Sequence, residues 1–439
     1  MSRRTLDIEV GASLIATALL LGCSAAEDER LDRSENPRAV GTQVALLPPP
    51  TISRVDLLKY DSEQQRRYEE KEWYLAEQYH AQGWRIVETT QTYIGDIVDW
   101  LDPASVPGSQ IEPPPKPSPE ELQPTPGALL GLTEFDLYPE LRGLQGTVPV
   151  LRPSFMRYVL EETGASSIQD FIQQNQAQGM PAGRNRLYAG LGKTTSNTAA
   201  YSLVTPFAGT IESGTMTLLE VAVVNSGPNP STTHEQVGIA ISRDKINFGY
   251  VDSDLRIQVE FMARGDSTGN DKGGWHGVVT GFIAIAGSPY PVGSIVIPST
   301  IGGLQYQYQL GIQLSGGNWW ISLNGNWLGY YPGRLFDLIN ASAAQAFWYG
   351  EVYDPTPTNW TWTDMGSGVF ASYGGGNASS FINPSYTIPS GSTFWADGAV
   401  DVGPSATACY TKSPLYSSSW PGYRFFFLGG PGGEAPGCD

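Results

Sequence analysis

The stretch LLEVAVVNSGPNPSTTHEQVGIAIS, residues 218–242, decides the fold class. Two runs of β-branched and other apolar residues flank a segment rich in Asn, Ser, Gly and Pro, which is typical of two strands joined by a turn. Similar short runs recur from residue 186 onward. The pattern predicts an all-β domain, an antiparallel β-sandwich, preceded by a short helical N-terminal segment. One helix is expected within the sandwich, over PGRLFDLINASAAQAF (332–347), with Pro332 near its start.

The composition also favours a β-rich protein that functions outside the cytoplasm. The chain of 439 residues contains 51 Gly, 33 Pro and 22 Tyr, and only 16% of its residues are charged. Its formal net charge of −18 makes nucleic acid an unfavourable partner, because phosphates would be repelled.

The N-terminus has the pattern of an export signal. GASLIATALLLGC (11–23) is an apolar run, too short for a stable membrane span, that follows Arg3 and Arg4. Its last four residues resemble a bacterial lipobox, which would make Cys23 a lipidation site. We expect a secreted protein or an outer-surface bacterial lipoprotein that contacts the membrane only through a lipid anchor.

Composition shifts divide the chain into six predicted parts. Residues 53–101 should contain a helix of about 20 residues, and a stiff Pro-rich segment follows at 113–127. Cys409 and Cys438 are expected to form a disulfide in an exported chain. The predicted parts are a signal peptide with lipobox (1–23), a flexible tether (24–52), an activation segment resembling a propeptide (53–127), a linker region (128–185), the sandwich (186–405) and a disulfide-tied extension (406–439).

The sequence favours chemistry without metals or cofactors. It contains three histidines, His80, His234 and His276, and no H-E-x-x-H, C-x-x-C or G-x-S-x-G motif. An enzyme of this composition would use carboxyl groups, amides and water. Glu351, in AFWYGEVYDP (346–355), is a carboxylate among aromatic residues. It is either a satisfied structural group or a carboxyl whose pKa is tuned for proton transfer.

Three motifs carry a resemblance to a known family. LGYYPGRLF (328–336), FWYGEVYD (347–354) and TDMGSGVF (363–370), in this order, resemble the neprosin family of glutamic peptidases. GDIVDWLDPASVP (95–107) is similar to the activation segment of that family. The resemblance covers roughly residues 90–400. It implies a β-sandwich, a removable N-terminal segment that inhibits the enzyme, and acid-active hydrolysis of peptides, next to proline in the best-known members.

The family uses two glutamates across a cleft, and Glu351 matches the second of them. Matching the first without a gap, on HEQVGIAISRD (234–244), puts Gln236 at the catalytic position. A slip by one residue would select Glu235, on the opposite face of the strand. The family often has glutamine where this chain has Glu220, so we hypothesise that Glu and Gln have exchanged places. A hairpin centred near residue 228 would let Glu220 and Gln236 face each other.

This resemblance implies a working mechanism like that of fungal glutamic peptidases, which pair glutamine with glutamate. Glu351, alone or sharing a proton with Glu220, would activate water and then protonate the leaving amine. Gln236 would orient the water and stabilise the oxyanion. Four aromatic residues are candidates for substrate binding, with core packing as the alternative: Trp320, Tyr330, Trp348 and Tyr349.

Two functions from different classes remain open at this point. The first is a secreted or lipid-anchored glutamic endopeptidase with peptide or protein substrates and its own N-terminal segment as inhibitor. The second is a catalytically degenerate β-sandwich module that binds peptides or glycans at the cell surface. A carbohydrate-active sandwich with paired carboxylates is a more distant third.

Overall fold

The computed structural model describes the chain from residue 60 onward, with gaps. The predicted export signal, Cys23 and the tether lie outside the described residues. The described ranges are 60–115, 123–153, 155–160, 164–171, 186–227, 233–244, 254–264, 272–276, 281–354, 362–403, 408–418, 422–434 and 438.

Strands dominate the described part of the chain. Three α-helices are α1 Ser62–Gln82, α2 Glu134–Leu137 and α3 Met156–Val159. The strands are β1 Ile86–Gln91, β2 Ile97–Leu101, β3 Leu129–Leu130, β4 Val148–Leu151, β5 Arg186–Asn197, β6 Ala199–Thr205, β7 Met216–Ser226, β8 His234–Asp244, β9 Arg256–Arg264, β10 Lys272–Trp275, β11 Ile283–Ala284, β12 Tyr306–Ser315, β13 Asn318–Leu323, β14 Asn326–Pro332, β15 Ala343–Tyr353, β16 Ser379–Thr387, β17 Thr393–Trp395, β18 Val400–Val402, β19 Thr411–Lys412, β20 Tyr416–Ser417 and β21 Arg424–Gly429.

Two antiparallel sheets form a sandwich, which confirms the predicted fold class. Sheet 1 has the strand order β10-β9-β8-β7-β15-β5-β18. Sheet 2 has the order β11-β14-β13-β12-β6-β16-β21-β19, with β3, β17 and β20 at its margins. Alternate residues of the central strands, such as Val221, Ile239 and Trp348 in sheet 1 and Trp319 and Ile321 in sheet 2, share one core cluster. The intervening residues therefore lie on the outer faces of the two sheets.

The N-terminal segment has its own small architecture. Asp61 caps the start of α1, where its carboxylate accepts hydrogen bonds from the backbone N–H groups of Glu63 and Gln64. Gly83, in the left-handed conformation, caps the end. This helix confirms the one predicted within 53–101. Strands β1, β2 and β4 form a three-stranded sheet next to it. In the described residues, no helix has the length and apolar character needed to cross a membrane.

The helix predicted over 332–347 is wrong. A short 3-10 turn, Gly333–Leu335, is followed by irregular chain and then by β15. Strand β15 pairs along its length with β5 on one side and β7 on the other. These two ladders override the local helix preference of the alanine-rich sequence, because tertiary pairing outweighs a weak intrinsic propensity.

The hairpin of β7 and β8 is confirmed, but its register differs from the predicted one. Ser226 pairs with His234, which centres the turn near residue 230 rather than 228. Glu220 consequently pairs with Ala240, and Gln236 pairs with Val224.

The predicted disulfide is also confirmed. Cys409 and Cys438 are bonded, with their Cα atoms 4.9 Å apart. The bridge ties the C-terminal end of the chain to the region beside β19.

Candidate active site

The outer face of sheet 1 carries polar side chains inside an apolar setting. Around them lie Trp275, Phe347, Tyr349 and Tyr353, with Tyr188 partly buried against the same cluster. Carboxyl and amide groups in such a setting must find partners, since an unpaired buried polar group costs free energy. We call Glu220, Gln236, Glu260, Tyr349 and Glu351 the glutamate cluster.

Glu220 lies near the centre of the glutamate cluster. It is 1% exposed and sits on β7, opposite Tyr349 of β15. The Tyr349 hydroxyl donates a hydrogen bond to Glu220 Oε2 at 2.7 Å. The Gln236 amide donates to Glu220 Oε1 at 3.2 Å. Both carboxyl oxygens therefore have a donor.

Gln236 joins two carboxyl groups through one amide nitrogen. Besides Glu220, its Nε2 donates to Glu260 Oε1 and lies 3.4 Å from the Tyr349 hydroxyl. Its Oε1 is 3.3 Å from His234 Nε2. The amide is thus fully engaged, and it can bind another acceptor only by releasing one of these partners.

Glu260 is a member of the cluster that the sequence reasoning did not select. It lies on β9, directly opposite Gly238 of β8, and is 3% exposed. The signal was present in RIQVEFMA (256–263), where one carboxylate stands among alternating apolar residues. The same pattern singles out Glu351 in its own strand, so it identifies Glu260 from the sequence as well.

Gly238 makes the contact between Glu220 and Gln236 possible. A Cβ atom at this position would lie 1.9 Å from Glu220 Oε1 and 3.0 Å from Glu260 Cγ. The missing side chain leaves space in which the two carboxyl groups and the amide meet. This explains a glycine inside a strand, where it otherwise weakens pairing.

Glu351 lies beside this group but has a different principal partner. It is 2% exposed, pairs with Tyr188 across β5, and forms an ion pair with Arg186. Arg186 also lies with its guanidinium carbon 5.2 Å from the centre of the Tyr353 ring. The sharing of a proton between Glu351 and Glu220 stays a prediction: Glu351 has Arg186 as its partner, and Glu220 accepts hydrogen bonds from Tyr349 and Gln236.

The environment favours the protonated carboxyl at two of these glutamates. Burial raises the pKa of Glu220 well above its usual value, the nearby Glu260 charge raises it further, and the Tyr349 hydrogen bond acts in the opposite direction. Burial raises the pKa of Glu351 to about 7, against the lowering effect of Arg186. Both side chains therefore hold protons in mildly acidic solution, and Glu351 carries its charge beside Arg186 only above about pH 7.

Glu235 lies apart from the glutamate cluster. Its carboxylate accepts hydrogen bonds from the backbone N–H groups of Asp337, Leu338 and Ile339, at 2.7, 2.7 and 2.9 Å. Successive residues of a strand point to opposite faces, so Gln236 and Glu235 cannot both reach the cluster. Glu235, the residue that a one-residue slip would select, therefore holds the loop at 337–339 and lies outside the glutamate cluster.

The four aromatic candidates separate into three environments. Tyr349 belongs to the glutamate cluster. Trp348 is fully buried between the sheets, where its indole N–H donates to the Tyr201 carbonyl oxygen at 2.9 Å. Trp320 and Tyr330 lie on the outer face of sheet 2, with Trp327. Only Tyr349 is therefore positioned to contact a substrate at the cluster.

No metal site is evident in the described part of the chain. There, no group of three or more His, Cys, Asp or Glu residues is arranged to hold a metal ion. His80 is on α1, His234 is on β8 and His276 follows β10, so the three imidazoles lie on separate elements.

Comparison with solved structures finds proteins of several functions at low similarity. A scytalidoglutamic peptidase bound to a peptide-based transition-state analogue matches 55% of this chain and 97% of its own, at 12% identity and a TM-score of 0.30. A carbohydrate-binding module from Bacillus subtilis matches 39% of this chain and 76% of its own, at 10% identity and a TM-score of 0.19. A κ-carrageenase from Pseudoalteromonas carrageenovora matches 54% of this chain and 65% of its own, at 5% identity and a TM-score of 0.23.

Comparison with protein families is more specific. Residues 217–431 match the family model described as Neprosin. The matched region begins in β7 and contains Glu220, Gln236, Glu260 and Glu351. This match supports a peptidase role. Residues 217–431 of this chain are therefore identified as a Neprosin domain.

Proposed function

We propose that this chain is the precursor of a metal-free, acid-active glutamic endopeptidase that works at the glutamate cluster. The observation that carries the proposal is the amide of Gln236 bound to Glu220 and Glu260 at once. Two carboxyls and one amide in a buried setting can supply a base, an acid and a donor for an oxyanion without any cofactor.

The Glu220–Glu260 pair is the proposed site of water activation. The two carboxyl groups are close enough for a hydrogen bond between them and for the charge on Glu260 to raise the pKa of Glu220. Such a pair holds a single proton over a range of acidic pH. The remaining anionic oxygen accepts a proton from water as the water oxygen attacks the carbonyl carbon of the scissile peptide.

Gln236 and Glu351 supply the other two roles. The Gln236 amide exchanges one carboxyl partner for the developing oxyanion and stabilises it. Glu351, protonated below pH 7 because its pKa is raised, donates its proton to the leaving amide nitrogen as the C–N bond breaks. The Glu220–Glu260 pair then returns the proton taken from water to Glu351 through solvent, which restores the starting state.

The cluster is closed in this form of the chain, which is why we propose a precursor. Glu220, Glu260 and Glu351 are each at most 3% exposed, so a substrate needs the cover to open. The N-terminal segment contacts both sheets, through the Asp96–Arg256 ion pair at 2.6 Å and through the hydrogen bond from Trp327 to Pro114. Removal of this segment is the proposed activation step.

The proposal extends to where the enzyme acts and which bonds it cuts. The apolar run before Cys23 supports secretion or attachment by a lipid, and the Pro-rich segment after residue 112 supports cleavage next to proline during maturation. These features concern where the enzyme acts and on what, and the proposed proton transfers do not depend on them.

The decisive experiment measures hydrolysis of a quenched fluorescent peptide library between pH 3 and pH 8. We expect wild-type chain to shorten itself between residues 112 and 127 at pH 3–5 and then cut peptides. Glu220→Gln and Glu351→Gln should each lower kcat/KM at least about a hundredfold. Glu69→Gln, at an exposed position on α1, is the matched control and should be unchanged.

The closed cluster also favours a second function, that of a non-catalytic sandwich. Fully satisfied, buried polar groups can serve to hold a fold rather than to react. Equal hydrolysis by wild type, Glu220→Gln and Glu351→Gln would exclude the proposed mechanism. An intact chain with no hydrolysis over the whole pH range would favour the binding module.

A further inference from the structure

A chain of hydrogen bonds leads from the end of the β7–β8 hairpin to the amide of Gln236. Ser226, the last residue of β7, pairs with His234, the first residue of β8. The Ser226 Oγ lies 3.0 Å from His234 Nδ1, and His234 Nε2 lies 3.3 Å from Gln236 Oε1. His234 and Gln236 are two residues apart on one strand, so their side chains project from the same face of sheet 1. The proposed proton transfers use Gln236 but give no role to His234.

The two ends of the Gln236 amide have different neighbours. Its amino group donates to Glu220 Oε1 at 3.2 Å and to Glu260 Oε1. Its carbonyl oxygen has the imidazole of His234 beside it. Only the amino end can stabilise an oxyanion, because the carbonyl oxygen would repel the developing negative charge. The orientation of this amide therefore decides whether the cluster can stabilise a tetrahedral intermediate.

The two glutamates alone do not fix that orientation in acidic solution. A carboxylate only accepts hydrogen bonds and thus selects the amino end of the amide, whereas a carboxyl that holds a proton can also donate to the carbonyl end. Glu220 lies in a setting that retains its proton, since burial and the charge on Glu260 both raise its pKa. The oxygen and the amino group of an amide are nearly equal in size, so shape alone does not select one orientation.

His234 selects one of the two orientations. Gln236 Oε1 is an acceptor only, so its hydrogen bond with the imidazole requires a proton on His234 Nε2. In the neutral ring, Nδ1 then accepts from the Ser226 hydroxyl, and in the doubly protonated ring Nδ1 donates to the Ser226 oxygen. The Nε2–H group donates to Gln236 in both states. A turned amide would instead set its amino group against this N–H, which places two donors in contact.

We propose that His234 is a positioning residue that holds the amino end of Gln236 toward Glu220 and Glu260. This role rests on the proposed function, since the orientation of the amide affects catalysis only if the glutamate cluster hydrolyses peptides. The imidazole N–H also polarises the amide and makes its amino group a stronger donor, because hydrogen bonds in a chain strengthen one another. His234 is only partly buried, so its ring can be replaced without opening a cavity in the core.

The first test does not depend on hydrolysis. Hydrogen exchange of the Gln236 amino group is measured by NMR at pH 4 on the uncut chain, labelled with ¹⁵N-glutamine and carrying Glu351→Gln to prevent cleavage. With His234→Phe the amide can turn its amino group toward the rim and solvent. We expect exchange to become at least about fivefold faster, the effect of losing one ordinary hydrogen bond. Gln236→Leu assigns the signals, and equal exchange rates with and without His234→Phe would overturn the proposal.

The second test separates kcat from KM for peptide hydrolysis. His234→Phe keeps an aromatic ring but removes the N–H donor, and should lower kcat about tenfold or more while changing KM less than about twofold. His234→Gln, whose side-chain amino group can donate to the same oxygen, should recover most of the lost kcat. His80→Phe, at an exposed position on α1, is the matched control and should leave both constants unchanged.

A double-mutant cycle connects the effect to Gln236. In a chain with Gln236→Ala there is no amide to orient, so adding His234→Phe should change kcat by less than about twofold. A tenfold loss in that background, or no loss when Gln236 is present, would overturn the proposal. A wild-type chain that hydrolyses no peptide would contradict the proposed function instead. The exchange rates of the Gln236 amino group would then still decide whether His234 holds the amide.

Discussion

Glu220 Oε1 lies 3.2 Å from Gln236 Nε2, although Glu220 pairs with Ala240, four residues further along β8. The two side chains lean toward each other over Gly238, and Glu260 reaches the same point from β9. A chain that places Glu at 220 and Gln at 236 thus keeps a buried group of two carboxyls and one amide. The energetic coupling between positions 220 and 236 can be measured.

The exchange of Glu and Gln can be tested by reversing it. Gln236→Glu adds a third carboxyl beside Glu220 and Glu260, and should lower the free energy of unfolding at pH 7 by roughly 2–4 kcal/mol. The double variant Glu220→Gln/Gln236→Glu restores two carboxyls and one amide. We expect it to recover at least about 1 kcal/mol, measured by urea denaturation. Simple addition of the two single effects would show that the positions are not coupled.

Stability should depend on pH through the raised pKa of Glu351. Between pH 4.5, the ordinary value, and about 7 the folded chain holds a proton that the unfolded chain has released. The free energy of unfolding therefore falls as the pH rises through this window, by about 3 kcal/mol for a change of this size at one group. Glu220, whose pKa is also raised, acts in the same direction.

The variant Glu220→Gln isolates the contribution of Glu220 to the pH dependence of stability. A neutral amide replaces a carboxyl that is already neutral at pH 4, so the variant should match the wild type there. At pH 8 it should be more stable than the wild type by roughly 1–3 kcal/mol, since no charge has to be buried. Denaturation curves at both pH values would check this, and an equal difference at pH 4 and pH 8 would contradict it.

Arg186 should set the pH at which Glu351 loses its proton. Its positive charge lowers the pKa of Glu351 against the effect of burial, so Arg186→Met should raise that pKa above 7, by about one pH unit or more. The measurement is a carboxyl ¹³C NMR titration, with Glu351→Gln to assign the signal. Arg424→Met, which breaks an ion pair with Asp397 elsewhere, is the control and should leave the Glu351 titration unchanged.

Glu235 should matter for stability rather than for hydrolysis. Glu235→Gln removes the charge that holds three backbone N–H groups of 337–339, and should lower the free energy of unfolding by about 2–4 kcal/mol. Amide hydrogen exchange at these residues should accelerate. Glu88→Gln is a milder control, because Glu88 accepts one backbone N–H at an exposed site. A changed pH profile of hydrolysis in Glu235→Gln, without loss of stability, would argue for a role in the cluster.

Much of the fold could be predicted from periodicity. The alternation in β7 and β8 and the Pro- and Gly-rich turn between them indicated a hairpin, and the polar-apolar spacing before residue 83 indicated α1. The segment 332–347 could not be assigned correctly, because its alanines favour a helix while its last residues, from Ala343, pair with β5 and β7 as part of β15. Such pairing is a property of the whole sheet and is not visible in a local window.

Most residues of the site could be predicted from the sequence, but their hydrogen-bond and ion-pair partners could not. Glu220, Gln236, Tyr349 and Glu351 were all selected from the sequence, and the structure brings them to one face of sheet 1. Their partners depend on the strand register and on the length of each side chain. These bring Glu260 into hydrogen-bond contact with Gln236, and Arg186 into an ion pair with Glu351. Trp320 and Tyr330 were grouped with the site by residue type alone, but β13 and β14 belong to sheet 2, and the alternation of these strands puts both rings on its outer face.

The absent side chain at Gly238 has an evolutionary consequence. Any substitution there would displace the Glu220 carboxyl, so the two positions cannot drift independently. Among homologous sequences, a glutamate aligned with residue 220 should occur together with glycine aligned with residue 238. Lineages that acquire a larger residue at the second position should carry a shorter side chain at the first.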